Sequence, residues 1–160
     1  GLDSLWQRMT SGALRPDFGP NQPHPTAGAT LVTARAPIAA FNLELATDDL
    51  AVAREIAAAV REGPDDGISG VRALGLLLST GRDQVSTNVH DPIETPLAEI
   101  VDAVQEEATL RGTYVVEAEL IGLIPEAALE EYPEGVPIRD FDPAFHVIER
   151  RLKPRDQAGQ

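Results

Sequence analysis

Cysteine is absent from the 160-residue sequence, which excludes disulfides, zinc ribbons and thiol catalysis. That absence is compatible with a reducing compartment, and a cytoplasmic location is expected. Basic residues are also scarce: 13 Lys and Arg stand against 26 Asp and Glu, for a formal net charge of -13. Nucleic acid is therefore not an expected partner, because phosphate binding requires clustered cations. No apolar run approaches the roughly 20 residues needed to cross a bilayer, so no membrane partner is expected. The start of the chain has neither the basic nor the apolar region of a secretory signal. Only three histidines occur, His24, His90 and His146, and none pairs at a metal-binding spacing, so no metal site is expected. No glycine-rich phosphate loop follows a strand, and no nucleophile elbow occurs.

What is present is ordinary for a folded domain: 42% hydrophobic and 24% charged residues over a length that can bury a core. Twelve of the 13 basic residues are arginine. Arginines standing singly in an acidic chain suit the holding of an anion by a fork of donors, although most read as surface charges. The chain begins without Met and reads as a piece of a larger product.

Leu2, Leu5, Trp6 and Met9 recur at helical spacing and predict a short linker helix within residues 1–15. Residues 16–25 contain four prolines and a glycine and must be irregular. From there the pattern is regular. Strand one covers 38–45, and Thr47, Asp48 and Asp49 cap a helix to Arg61 with Leu50, Ala53, Ile56, Ala57 and Val60 on one face. A loop at 63–67 leads to strand two (71–78), a tight turn at 79–82 and strand three (83–89). Thr95 as N-cap and Pro96 at the first helical position open a second helix that Gly112 ends, with Leu97, Ile100, Val101, Val104 and Ala108 inward. Strand four covers 114–121. Short helices are expected at 125–130 and 142–152, and a disordered tail at 153–160.

The order β-α-β-β-α-β is the ferredoxin-like arrangement, an α/β (α+β) fold. Right-handed crossovers place both helices on one face of a four-stranded antiparallel sheet ordered 4-1-3-2, with helical extensions at both ends. Strand alternation then assigns the other face. Phe41, Leu43 and Leu45 suit the core and turn Asn42 and Glu44 outward. Val85, Thr87 and Val89 leave Gln84, Ser86 and Asn88 on the bare side. In strand four Val116, Ala118 and Leu120 suit the core, leaving Val115, Glu117 and Glu119. A solvated face is common in antiparallel sheets, but neutral amides and hydroxyls at a sheet centre donate and accept without the desolvation cost of full charges, which favours a face turned to a ligand or a partner. The histidines fit plainer roles: His90 in a turn capped by Asp91, His24 on a surface loop, His146 exposed on a C-terminal helix. Glu117 and Glu119 have acid–base chemistry but the spacing of any exposed strand, so no self-sufficient catalytic site is expected.

Several ordered segments together resemble the glutamate formiminotransferases. They are Pro16-Asp17-Phe18-Gly19-Pro20, His24-Pro25-Thr26-Ala27-Gly28-Ala29-Thr30, Ala34-Arg35, Ala40-Phe41-Asn42-Leu43, Gln84-Val85-Ser86-Thr87-Asn88, and Glu119-Leu120-Ile121-Gly122-Leu123-Ile124-Pro125. The resemblance implies that residues 16–152 form the C-terminal subdomain of an enzyme that moves a formimino group from N-formimino-L-glutamate to tetrahydrofolate. It implies a folate tunnel between two facing sheets, tetrahydrofolate as co-substrate without a metal, and a catalytic histidine on an N-terminal subdomain with no counterpart here. That subdomain is the expected partner, and this chain alone is expected to be inactive, with no catalytic residue of its own. Arg35 is expected on a carboxylate of glutamate or of the folate tail, and Asn42, Gln84, Ser86, Asn88 and Glu119 along the tunnel. Where the family commonly has Gly before Ala-Arg, this chain has Thr33, and Ala36 replaces a frequent basic residue. Two further possibilities are a non-catalytic ferredoxin-like module binding a small molecule or protein, and a homodimer formed through the open sheet.

Overall fold

The computed structural model describes residues 2–34, 36–63 and 67–152. The chain falls into two compact units, Gly1–Arg35 and Ala36–Gln160. In the first, α1 spans Leu2–Thr10, and a bridge between His24 and Gly28 closes a small turn in the proline-rich stretch. His24 Nδ1 accepts from the backbone N–H groups of Thr26, at 3.3 Å, and Ala27, at 3.2 Å. This histidine builds its own loop.

The second unit runs β1 (Ala39–Leu45), α2 (Leu50–Val60), β2 (Val71–Leu77), β3 (Asp83–Val89), α3 (Leu97–Leu110) and β4 (Val115–Ile121). Its strands form one sheet in the order β2-β3-β1-β4, antiparallel throughout. That is the expected ferredoxin-like order, and the core explains it. Phe41, Leu43 and Leu45 from β1 and Val85 and Val89 from β3 are wholly buried with Ala53, Ile56, Leu97, Ile100 and Val104 from the two helices. Asp49 caps α2 by accepting from Ala51 N–H at 3.0 Å. Gly112, at φ 72°, ends α3 in a conformation that disfavours other residues. The turn between β2 and β3 closes with Leu78 N–H donating to Arg82 O at 2.8 Å, and Gly81 takes φ 84° there.

Four details depart from expectation. Pro96 is the N-cap of α3 and gives no side-chain bond, so Thr95 lies outside the helix and does not cap it. On β4 a register shift sets Glu44 opposite Glu117 but Leu45 opposite Val115. The extra residue, Val116, is left over, and the strand below it flips faces. Val115 therefore points into the core, 5% exposed, instead of onto the bare face. The C-terminal helix is two short pieces, Pro143–His146 and Ile148–Leu152, broken at Val147. His146, which ends the first piece, is half-buried, stacked on Phe141 at 5.4 Å, where an exposed position was expected. Part of the loop expected at 63–67 and the tail expected at 153–160 lie outside the described residues.

Asp83 is the buried exception in this core, 0% exposed, with neither carboxylate oxygen hydrogen-bonded. Burial, and then the charges of Asp48 and Asp49, push its carboxyl above the usual range. A carboxyl raised in the folded state keeps its proton where the unfolded chain has already lost it. Stability therefore falls as pH rises through that window and stays lower above it. Asp83→Asn is expected to stabilise the chain by about 1 kcal/mol at neutral pH. The gain should vanish below about pH 4; thermal melts of both proteins across pH measure it, and a pH-independent difference would refute the assignment.

Candidate functional site on the open sheet face

The register lays the open face out as three cross-strand rows. The middle row is Leu74, Ser86, Asn42 and Glu119, the flanking rows Leu76, Gln84, Glu44, Glu117 and Arg72, Asn88, Ala40, Ile121. The polar residues expected on this face are thus brought together. Asn42 lies opposite both Ser86 and Glu119, and its Nδ2 donates to Glu119 Oε2 at 3.1 Å. That bond turns the Asn42 carbonyl and the second Glu119 oxygen free to meet a ligand donor. Ser86, Asn42 and Glu119 are half-buried and Asn88 is exposed, whereas Gln84 is 5% exposed. Arg35 lies outside the described residues.

The Gln84 end of the face carries two residues that periodicity did not reveal. Residues 137–139 run beside β4, with Ala118 N–H donating to Pro137 O and Arg139 N–H to Ala118 O, both at 2.8 Å. From there Arg139 Nη2 reaches Glu44 Oε2 at 3.2 Å, and its Nε lies 3.5 Å from Glu117 Oε1. Arg82, in the β2–β3 turn, donates to Glu44 Oε1 at 2.7 Å. Glu44, only 5% exposed, is thereby held between two guanidinium groups. The nearest sequence signal was the outward parity of Glu44; its partners come from a turn and from a segment 95 residues away.

His90 and His146 lie outside these three rows. His90 is exposed beside Asp91, whose Oδ1 accepts from Ile93 and Glu94 N–H at 3.2 and 3.3 Å. Among the described residues no group of His, Asp and Glu converges to hold a metal ion, and no helix is long and apolar enough to cross a membrane. A recess of about 650 Å³ sits on the helix side and is lined by Glu99, Asp102, Glu106, Glu130 and Glu131. Five carboxylates repel the anionic ligands that the open face could accept. A recess of about 340 Å³ on the open face is lined by Ser86 and Asn88 together with Arg72.

Fold and face together define a ferredoxin-like domain with one helix-covered sheet face and one polar, hydrogen-bonded open face. The particular family is then given by comparison: the formiminotransferase domain model matches residues 40–134, and the chain belongs to that family. It is 36% identical over 153 residues to a glutamate formimidoyltransferase of Streptococcus pyogenes serotype M1, covering 94% of this chain and 51% of the relative. A glutamate formimidoyltransferase of Thermoplasma acidophilum is 32% identical over 94% of this chain and 50% of its own length. The formimidoyltransferase-cyclodeaminase of Gallus gallus is 36% identical over 139 residues, 82% of this chain and 25% of the relative. The chain spans about half the length of the glutamate formimidoyltransferases it matches.

Proposed function

We propose that the open face is one wall of a folate site in a transferase that moves a formimino group from N-formimino-L-glutamate to tetrahydrofolate in the cytoplasm. The observation that carries this reading is the Ser86–Asn42–Glu119 row, central on the face and joined by the 3.1 Å bond between Asn42 and Glu119. A carboxylate with one oxygen free can accept from the N–H groups of an amidine, and the amide and hydroxyl beside it can pair with the edge of a pterin. This chain's contribution is positioning. The attacking and leaving nitrogens need proton transfer as the tetrahedral intermediate forms and collapses, which falls to a partner subdomain facing this wall. Tetrahydrofolate enters as co-substrate, and no metal is required by these steps. Arg35 remains a candidate for a carboxylate of glutamate or of the folate tail, and Gln84 and Asn88 for the flanks of the site.

The test measures 5-formyltetrahydrofolate binding by titration and, separately, formimino transfer from N-formimino-L-glutamate to tetrahydrofolate, each with the chain alone and after addition of the N-terminal half of a two-subdomain relative. Formimino transfer is expected only in the mixture, and Asn42→Leu should weaken folate binding about 10-fold by leaving Glu119 without its donor. Absence of folate binding in both states would sink the reading. A non-catalytic binding module is the second reading, favoured by Leu74 and Leu76, 63% and 43% exposed on the same face; folate binding without transfer in the mixture would support it.

A further inference from the structure

The charges on the open face are unevenly divided. Its three carboxylates, Glu44, Glu117 and Glu119, all lie on β1 and β4, at one side of the sheet. Across it, β2 contributes Arg72, directly opposite Asn88 on β3. Arg82 and Arg139 are already hydrogen-bonded to Glu44. Arg72 differs: its carboxylate contact among the described residues is Glu62, at 3.9 Å, with side chains 67% and 45% exposed. That distance exceeds a hydrogen bond, and such a pair contributes little in water. The Arg72 fork is therefore available to a ligand. It lines the 340 Å³ recess with Arg61, Leu74, Ser86, Asn88 and the one carboxylate among the described residues there, Glu62. Guanidinium, amide and hydroxyl groups supply donors there, matching the acceptor-only character of a carboxylate.

We propose that Arg72, supported by Asn88 and Ser86, binds a carboxylate of the amino-acid donor substrate and fixes its direction across the sheet. The proposal rests on the formimino-transfer reading of the face and deepens it. In N-formimino-L-glutamate the amidine shares its end of the molecule with the α-carboxylate, and the side-chain carboxylate stands alone at the other end. Arg72 and Glu119 stand three interstrand spacings and one row apart, about 16 Å at the backbone, a gap their long side chains narrow toward the length of such a molecule. With the amidine at Glu119 and the side-chain carboxylate at Arg72, the reacting amidine carbon lies at the Glu119–Asn42 end of the row and the aliphatic stem crosses Ser86. The reverse orientation would set a carboxylate against Glu119 and an amidinium against Arg72, and like charges reject it. Arg72 is a positioning and specificity residue in this scheme.

The experiment titrates the 15N-labelled 160-residue chain with glutarate as the probe, followed by NMR. Saturable shifts are expected at the Arg72 Nε–H and the Asn88 side-chain amide. Arg72→Met should weaken glutarate about 10-fold, with Arg72→Lys intermediate because it keeps the charge and loses the fork. Glu62→Gln should strengthen binding about twofold by removing the competing carboxylate, an effect that a merely structural Arg72 would not produce. Spectral dispersion reports that each variant is folded. Unsaturable shifts, shifts that bypass Arg72 and Asn88, or an Arg72→Met affinity equal to the parent would overturn the proposal. So would an Arg72→Met change confined to 5-formyltetrahydrofolate, which would assign the recess to the folate's own glutamate. Folate binding with no glutarate response at Arg72 removes this inference and leaves the formimino-transfer reading standing. Glutarate binding at Arg72 with no folate affinity in any state sinks the formimino-transfer reading and leaves Arg72 a carboxylate site of another substrate.

Discussion

Gly75→Ala is expected to destabilise the fold by about 3 kcal/mol, the overpacking cost of one methyl group with nowhere to go. Gly75 lies mid-strand in β2 with the parity of Val71 and Ala73, so it faces α2. A Cβ at this position would lie 2.7 Å from Ala53 O and closer still to the backbone nitrogen of Arg54. Both are helix backbone atoms, and neither can rotate away as a flexible side chain could. The helix would have to lift from the sheet, separating wholly buried Ala53 and Ile56 from the core they share with Val71 and Val85. Glycine in a strand interior ordinarily weakens it, so on propensity alone the change to alanine would help. The close approach reverses that sign. For a chain of this size the expected loss is roughly 6–12 °C in melting temperature. Leu76→Ala, on the open face of the same strand, is the control and should shift it far less. A Gly75→Ala protein as stable as the parent would mean that α2 does not rest on β2 at this distance.

That glycine illustrates what was legible in the sequence. Strand and helix order, the inward faces of α2 and α3, and the placing of Asn42, Ser86 and Glu119 on one surface follow from periods of two and 3.6 residues, which are local. The parity rule also sets Asp83 and Gly75 on the core side, where their burial has consequences, but parity alone does not say that the core is closed over them. It failed at Val115 because a bulge consumes one residue without leaving a mark in the hydrophobic pattern. The arginines around Glu44 were illegible for another reason. Arg82 reads as a turn residue and Arg139 as part of an irregular stretch, and only three-dimensional pairing with Ala118 brings the latter to the sheet. Long-range ion pairs have no period. The pull of Arg72 toward a ligand was equally hidden, since it depends on which carboxylates the other arginines already hold.

Glu44→Ala is the second change expected to have a large effect, about 2 kcal/mol of stability. Glu44 is buried between the Arg82 and Arg139 guanidiniums, bonded at 2.7 and 3.2 Å. Breaking a fully buried ion pair costs about 3–5 kcal/mol because the surviving charge is stranded. Here the survivors are not fully stranded: the Arg82 and Arg139 side chains are 53% and 36% exposed, and Arg139 keeps Glu117 at 3.5 Å. Rehydration of the two arginines accounts for the smaller figure. Arg139→Met should cost less, about 1 kcal/mol, because Glu44 retains Arg82. The two changes share a partner, so their combined effect should fall short of the sum by about 1 kcal/mol in a double-mutant cycle read by urea unfolding. Arg139 also helps hold residues 137–139 along β4, so its loss should speed hydrogen exchange at the Ala118 amide, which donates to Pro137 O at 2.8 Å. If the cycle shows no coupling and Ala118 exchanges at the parent rate, the segment is held by its backbone bonds alone, and the buried Glu44 contributes nothing to closing that end of the face.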